Sequence, residues 1–341
     1  MTRPRRTAAV LAALAGLVAL WPAAAQPRFF EGKTIRLVVG FTAGGGFDTY
    51  SRAIARHLGK HVPGRPAVIV ENMPGAASLI AANHAFKVAR ADGLTIVNFH
   101  GNQLVGQLLG RDGIEFDARK FLWLGVPVRD NTVCALTRAS GIASAEQWMA
   151  AKTPVKLGGI GPGDTTHDTA RVLQASVGLP IQLVRGYKGT AEIRLAAESG
   201  EVSGGCWQWE SVKVTWRKAL DAAEIAVVLQ VTEKPLPDLP QVPLALDLAR
   251  TEEARQLLRA AVIVPTAISR LYALPPGTPA DRVQALRAAF QETLRDPEFL
   301  ADARQARLDV DPLGGEELER LVDELFRTDP ALAARLKGIL R

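Results

Sequence analysis

The sequence is poor in the residues on which several common classes of protein depend. Of its 341 residues only 2 are cysteines and 5 are histidines, which argues against a zinc site built from clustered cysteines and histidines. Aromatic residues make up 6%, and lysines and arginines are scattered among acidic residues, so no basic stripe for nucleic acid is present. Beyond residue 25 no apolar run reaches the roughly 20 residues of a transmembrane helix. The mature chain is therefore expected to be soluble.

Two enzyme signatures are missing as well. The sequence contains no G-x-S-x-G nucleophile elbow. Its run of three glycines, Gly44–Gly46, lacks the lysine of a phosphate-binding loop and the spacing of a dinucleotide fingerprint. No motif therefore indicates a hydrolase or a nucleotide-dependent enzyme.

The first 25 residues have the pattern of a secretory signal peptide. Arg3, Arg5 and Arg6 form a basic segment, residues 8–20 are apolar, and the three alanines at 23–25 offer a cleavage site. An uncleaved N-terminal anchor is the alternative. Cleavage removes three arginines and no acidic residue, which lowers the formal net charge from +6 to +3. The mature chain is long enough for two domains of about 150 residues.

The two cysteines leave two possibilities open. In an exported protein Cys134 and Cys206 can form a disulfide, and buried free thiols are the alternative. Their positions in the chain do not decide between these states, because a disulfide requires a specific geometry.

One stretch near the start of the mature chain predicts an anion-binding loop. Residues 35–39 (Ile-Arg-Leu-Val-Val) predict a buried strand, and Gly44–Gly46 lead into an apolar helical stripe. Glycines leave their N–H groups accessible beside the partly positive end of a helix, which favours a negative ligand. Asp48 is expected to cap this helix. A plain connecting turn is the alternative.

Strands and helices alternate after this stretch, which predicts parallel sheets whose strand ends share one edge. His100 and Asn102 follow such a strand end and are candidates for ligand contact. A second glycine loop, 161–167, repeats the pattern of the first, so two loops are expected to face each other across a cleft. Asp164 either caps the following helix or faces the ligand.

Other side chains have both a functional and a structural interpretation. His167 and Asp168 suggest an acid-base pair, but neighbours on a helix point in different directions, so Asp168 is not expected to orient His167. Lys188, beside Tyr187, either meets an acidic ligand or is solvated. Trp207 and Trp209 would share one face of a strand and form either a ligand wall or core.

Eight segments along nearly the whole mature chain together carry a more specific signal. They are residues 35–39 with 44–48 (Gly-Gly-Gly-Phe-Asp), 70–76 (Val-Glu-Asn-Met-Pro-Gly-Ala), 91–95 (Ala-Asp-Gly-Leu-Thr), 161–167 (Gly-Pro-Gly-Asp-Thr-Thr-His), 186–189 (Gly-Tyr-Lys-Gly), 200–202 (Gly-Glu-Val) and 274–279 (Leu-Pro-Pro-Gly-Thr-Pro). In order and spacing they resemble the periplasmic solute receptors of tripartite tricarboxylate transporters, the Bug or TctC proteins.

The resemblance implies an α/β, two-lobed periplasmic binding-protein fold of type II. Each lobe would be a mostly parallel sheet flanked by helices, with the ligand cleft between the lobes. After a signal peptide at 1–25, residues 26–130 and 232–341 would form lobe 1 and residues 131–231 lobe 2, with two chain crossings between them.

The resemblance also implies the site and the partners. The ligand would be a small carboxylate, the partners the membrane subunits of a transporter, and the protein a monomer that needs no cofactor, metal or nucleic acid and has no catalytic residue. The expected ligand-binding residues lie in the two glycine loops and the neighbouring walls: Thr42, Ala43, Gly44, Gly45, Gly46, Phe47, Asp48, His100, Asn102, Gly161, Gly163, Asp164, Thr165, Thr166, His167, Tyr187, Lys188, Trp207 and Trp209.

The sequence departs from the family pattern in both loops. Thr42-Ala43 stand where the family usually has proline, Asp164 where it has serine, and Asp168 where it has leucine. A carboxylate at 164 that faced the ligand would repel a simple anion and favour an amine or a hydroxyl.

The predicted function is a periplasmic receptor that captures a small organic acid and performs no chemistry. The alternatives are a ligand sensor that feeds a signalling partner and an exported α/β enzyme that uses Asp48 or His167.

Overall fold

A computed structural model describes residues 29–340, so the predicted signal peptide lies outside the described residues. The strands are β1 (Thr34–Val39), β2 (Ala67–Asn72), β3 (Thr95–His100), β4 (Leu122–Val126), β5 (Thr132–Thr137), β6 (Val155–Gly159), β7 (Ile181–Arg185), β8 (Gly204–Gln208), β9 (Ile225–Val231), β10 (Arg270–Leu274) and β11 (Leu313–Gly314). The predicted strand at 35–39 is confirmed as β1, in which Ile35, Leu37, Val38 and Val39 are buried.

The helices occupy the connections between these strands. They are α1 (Gly46–His61), α2 (Leu79–Lys87), α3 (Asn102–Leu108), α4 (Ala145–Met149), α5 (Thr165–Ser176), α6 (Thr190–Glu198), α7 (Trp209–Thr215), α8 (Arg217–Asp221), α9 (Ala245–Leu248), α10 (Glu252–Leu258), α11 (Val264–Ala267), α12 (Ala280–Arg295), α13 (Pro297–Ala306), α14 (Gly315–Leu325) and α15 (Pro330–Leu340). A π-helical segment, Arg259–Ile263, joins α10 to α11. No helix in this part of the chain combines the length and the apolar character needed to cross a bilayer.

The strands form two sheets, which define the two lobes. Lobe 1 is built on a six-stranded sheet in the order β11-β4-β10-β3-β1-β2, and lobe 2 on a five-stranded sheet in the order β7-β6-β8-β5-β9. In lobe 1, β1 pairs in parallel with β2 and β3, whereas β10 runs antiparallel to its neighbours. In lobe 2, β5 is the strand that opposes its neighbours. Most strands in each sheet therefore point the same way, as predicted.

The apolar core of lobe 2 also includes side chains from outside residues 131–231. All strands of lobe 2 lie between residues 132 and 231. Yet Leu246, Leu257 and Leu336, from helices in the stretch predicted for lobe 1, pack in one apolar cluster with Leu157 and Leu173 of lobe 2. Helices after residue 231 therefore cover part of the lobe 2 core, and the predicted domain boundaries stay a prediction.

The two cysteines form a disulfide, which is one of the two states that the sequence left open. Cys134 on β5 lies directly opposite Cys206 on β8, and the two form a disulfide. Both residues are fully buried beside Leu136 and Leu229, so the bond lies inside the core of lobe 2.

Candidate functional site

The first glycine loop leads into helix α1, whose N-terminus has no side-chain cap. The helix begins at Gly46, and Gly45 precedes it as the N-cap in an extended conformation (φ −84°, ψ 170°). A glycine cap has no side chain to occupy the N–H groups of the first turn, so they remain available to a ligand. Gly45, Gly46 and Phe47 are buried, whereas Ala43 and Gly44 are exposed at the loop tip.

Asp48 does not cap α1, so that prediction is wrong. It lies in the first turn, where its carboxylate accepts hydrogen bonds from the backbone N–H of Gly44, from Arg52 and from Asn72, each at 2.9 Å. Burial by itself raises the pKa of Asp48, but these hydrogen bonds outweigh it and hold the pKa below its usual value. Asp48 therefore braces the loop and is poorly suited to act as a general base.

Asp164 caps α5, which is one of the two roles that the sequence left open. It is the N-cap of α5, and its Oδ1 accepts from the backbone N–H of Thr166 at 2.8 Å and from the hydroxyl of the same residue at 2.5 Å. It also lines a small chamber between the lobes. The N-terminus of α5 is thus already occupied by a carboxylate. Burial raises the pKa of Asp164 to about 6, so it is mostly ionised at neutral pH.

The structure places a different helix opposite the first loop. Helix α6 begins at Thr190 after an N-cap glycine, Gly189. A Cβ atom on Gly189 would lie 2.6 Å from Oγ1 of Thr42, and one on Gly45 would lie 3.7 Å from Oγ1 of Thr190. Two glycine-capped N-termini, those of α1 and α6, therefore face each other across the lobes.

These elements enclose a cleft with a narrow inner part and a wide outer part. The inner chamber measures about 10 Å³, close to the space of one water molecule. Its lining comprises Phe41, Thr42, Gly45, Gly46, Phe47, Ile160, Asp164, Gly189, Thr190 and Gln208. The outer cavity measures about 530 Å³ and shares Phe41 and Ile160 with the chamber. Gly161, Tyr187 and Lys188 line this outer cavity, together with Arg111 and the segment 75–79.

His100 joins the lobes behind the chamber. Its Nδ1 accepts from the backbone N–H of Asn102, and its Nε2 lies 2.9 Å from Oγ1 of Thr165 and 2.8 Å from the side-chain amide of Gln208. Its ring stacks on Phe47 with centroids 5.5 Å apart. Burial lowers the pKa of His100 to about 3, so the ring is neutral and serves as a hydrogen-bonding bridge.

The expectation that Asp168 would not orient His167 is wrong. Nδ1 of His167 lies 2.9 Å from Oδ1 of Asp168. The same oxygen accepts from the backbone N–H of Gly163, and Oδ2 lies 3.3 Å from Nδ2 of Asn102 in lobe 1. His167 itself lines a separate cavity on lobe 2 that shares no residue with the cleft.

The two tryptophans do not share a strand face. β8 ends at Gln208, and Trp209 begins α7. Trp207 is fully buried and stacks on Trp216 with ring centroids 5.4 Å apart. Trp209 is nearly buried and donates from Nε1 to Asp238. The structure therefore places Trp207 in the lobe 2 core, and it lines neither part of the cleft.

A buried ion pair packs against the first glycine loop, and the sequence did not predict it. Arg270 on β10 and Asp130 are both completely buried, and Nη2 of Arg270 lies 2.8 Å from Oδ2 of Asp130. The same nitrogen donates to Ser211, whose side chain fills the space that a Cβ on Gly46 would need. The guanidinium carbon also lies 4.7 Å from the ring centroid of Phe47. A single arginine inside the apolar run 268–274 was the available signal.

Gly189, Thr190 and Gln208 were also absent from the predicted set. The pair Gly189-Thr190 repeats the pattern of a glycine before a helix, which was a usable signal. Gln208 offered none, because its role depends on the approach of His100 from the other lobe.

One group of side chains outside the cleft has the donor atoms for a metal ion. His57, Asp296 and Glu298 place ligand atoms within 4.8 Å of one another. Lys60 already lies 2.5 Å from Asp296 and 2.6 Å from Glu298, so an ammonium group occupies the position between the carboxylates. The group is therefore a surface ion-pair network.

Comparison with known proteins gives one relative over nearly the full length. A UPF0065 protein from Cupriavidus necator, described as lying in a gbd 5′ region, is 30% identical over 338 residues, which cover 96% of this chain and 94% of that protein. No family model matches the sequence. Among the solved structures that are similar, two share a TM-score of 0.73. The periplasmic binding protein BugD has a TM-score of 0.73 at 20% identity, covering 91% of this chain and 99% of its own.

The second solved structure is Rpa4515 from R. palustris with adipate. Its TM-score is 0.73 at 22% identity, and the match covers 90% of this chain and 98% of that one. At such identities the likeness concerns the fold alone. The predicted two-lobed binding-protein fold is confirmed.

Proposed function

The chain belongs to the UPF0065 family, the Bug or TctC family of substrate-binding proteins, and on this basis we propose that it is a periplasmic receptor for a small carboxylate. The ligand enters the outer cavity and is held between the lobes, and the ligand-bound closed form is presented to a membrane transporter of the tripartite tricarboxylate type. The protein acts as a monomer and leaves the ligand chemically unchanged.

The observation that carries this proposal is the pair of facing helix N-termini. α1 and α6 belong to different lobes, and both begin after a glycine that leaves the N–H groups of the first turn accessible. A carboxylate oxygen that takes the place of one water molecule between them accepts hydrogen bonds from both lobes and gains from both helix dipoles. Because these contacts exist together only when the lobes are closed, ligand binding favours closure.

Asp164 narrows the class of ligand. It is buried in the inner chamber, and among residues 29–340 only its Oδ1 accepts a hydrogen bond. The free oxygen repels a second negative charge and accepts a hydrogen bond from a hydroxyl or an ammonium group. The favoured ligand is therefore a hydroxy acid or an amino acid, with its carboxylate on the helix N-termini and its donor group on Asp164.

A panel of small acids tests the receptor function. Thermal unfolding of the purified protein is measured with plain dicarboxylates, hydroxy acids and amino acids, and the solutions are analysed for products. A ligand at 100 times its Kd is expected to stabilise the protein by about 2.7 kcal/mol without turnover. Product formation that disappears in Asp48→Asn would overturn the receptor function and favour an enzyme.

The Asp164→Asn variant tests the proposed class of ligand. Asparagine keeps the shape of the side chain and is an equally good helix cap, but it carries no charge. The variant is expected to bind a plain dicarboxylate such as glutarate about ten-fold more tightly at pH 7.5, and an amino or hydroxy acid more weakly. Isothermal titration calorimetry measures both affinities. Equal changes for both ligand classes would contradict a contact between Asp164 and the ligand.

The pH dependence gives a second test of Asp164. With a pKa of about 6 the carboxyl takes up a proton as the pH falls from 7.5 to 5.5, and its repulsion of an anionic ligand is lost. The affinity of the wild-type protein for glutarate is therefore expected to rise over this interval. In Asp164→Asn the rise should be absent, because no group titrates at that position.

A further inference from the structure

A second cavity lies on lobe 2, outside the cleft. It measures about 410 Å³, which falls in the usual range for small-molecule sites of roughly 300–1,000 Å³. Helix α5 and the edge strand β7 form its walls. His167, Arg171 and Gln174 contribute from the helix and Arg185 from the strand, with three apolar side chains completing the lining. None of the lining residues is acidic.

Two guanidinium groups face this cavity without a carboxylate partner among residues 29–340. Arg171 donates from Nε to the backbone carbonyl of Ile339 at 3.1 Å, which holds the base of the guanidinium and leaves both Nη groups unengaged. Arg185 is exposed and makes no side-chain hydrogen bond within the same residues. Two like charges on one cavity repel each other, and an anion between them removes that cost.

The third polar group is His167, which is 2% exposed. Its Nδ1 lies 2.9 Å from Asp168, so the buried carboxylate accepts from this nitrogen and fixes the orientation of the ring. Nε2 is then the remaining polar atom of the ring. A ring that carries a hydrogen on both nitrogens donates from Nδ1 to Asp168 and from Nε2 to an oxygen atom in the cavity.

We propose that this cavity is a second binding site, distinct from the cleft, that takes a small oxyanion such as a phosphate or carboxylate group. Arg171 and Arg185 bind the anion from two sides through their Nη groups, and His167 donates from Nε2 at the buried end. Gln174, whose Nε2 also donates to the backbone carbonyl of Ile181 at 3.3 Å, supplies its second amide hydrogen at the rim. The site does not depend on the function of the cleft, since the two share no lining residue.

NMR of the His167 ring tests the proposal. The full mature protein carries five histidines, and the His167 signal is assigned by comparison with His167→Gln. Inorganic phosphate, and separately glutarate, is titrated at constant pH and at an ionic strength matched with NaCl. At least one of the two is expected to shift the His167 signal in a saturable way, with a Kd on the order of millimolar or below. The anion that does so identifies the group that the site accepts.

Two variants separate a specific site from general charge effects. The double variant Arg171→Gln, Arg185→Gln is expected to bind the anion at least ten-fold more weakly. Arg304 is an exposed arginine in lobe 1, and Arg304→Gln should leave the titration unchanged. The same titration in Gly45→Val, whose cleft is blocked, reports on the second cavity alone. A His167 signal that does not respond to either anion, or that responds equally in the double variant, would overturn the proposal.

Discussion

Gly45→Val is expected to weaken binding of the carboxylate ligand at least 100-fold while the protein remains folded. Gly45 has an extended conformation that valine adopts readily, and the nearest atoms to a new Cβ are Oγ1 of Thr190 at 3.7 Å and the carbonyl of Thr42 at 3.8 Å, which are ordinary contacts. The added methyl groups project into a chamber of about 10 Å³ and take the place of the ligand carboxylate. Calorimetric titration measures the loss.

A matched control exists in the same chain. Gly314 is also the N-cap of a helix, with a similar conformation (φ −76°, ψ 162°), and a Cβ there would meet only Nε2 of Gln291 at 3.9 Å. Gly314→Val should show the same small cost in stability, about 1 kcal/mol or less for a change of cap, and normal binding. Gly46 cannot serve in this way, because its Cβ would lie 2.1 Å from Ser211. If Gly45→Val bound its ligand normally, the proposed position of the carboxylate would be wrong.

Arg270→Met is expected to lower the free energy of unfolding by about 3–5 kcal/mol, because it leaves the carboxylate of Asp130 buried without its partner. Both side chains have no exposed surface, and Arg270 also lies over the rings of Phe47 and Tyr50. Methionine replaces much of the apolar contact but none of the charge. Equilibrium urea unfolding measures the change.

Arg129, which precedes Asp130 in the chain, supplies the control for Arg270→Met. Arg129 pairs with Asp311 at the surface, where the two side chains are 52% and 54% exposed. Arg129→Met should cost no more than about 1 kcal/mol. Adding Asp130→Asn to Arg270→Met should restore part of the stability, since it removes the unpaired charge. Equal losses in the two single arginine variants would show that burial of the pair has no energetic consequence.

The same ion pair also connects stability with binding. Through Ser211 and Phe47, Arg270 contacts both sides of the first turn of α1. Its loss should therefore loosen the loop that holds the ligand.

Local patterns predicted the parts of the site that depend on a few consecutive residues. A run of β-branched residues, then glycines, then an apolar helical stripe is enough to place a strand, a bare loop and a helix N-terminus, and β1, Gly45 and α1 follow this pattern. The cap at Asp164 was predictable for the same reason. Asp48 was misplaced because a cap and a first-turn carboxylate look alike in sequence, and only the bond to Gly44 separates them.

The sequence by itself determined that the protein has two glycine loops, helix N-termini suited to an anion, and the order of segments typical of its family. Only the tertiary structure decided which helix N-termini face each other: the N-terminus of α6, and not that of α5, lies opposite α1. It also decided where His167, Trp207 and the cysteines lie. It also brought Arg270 to Asp130, 140 residues apart. The physical reason is the sequence separation of the interacting residues. Backbone conformation follows from neighbouring residues, whereas a contact between lobes depends on how two separately formed sheets pack.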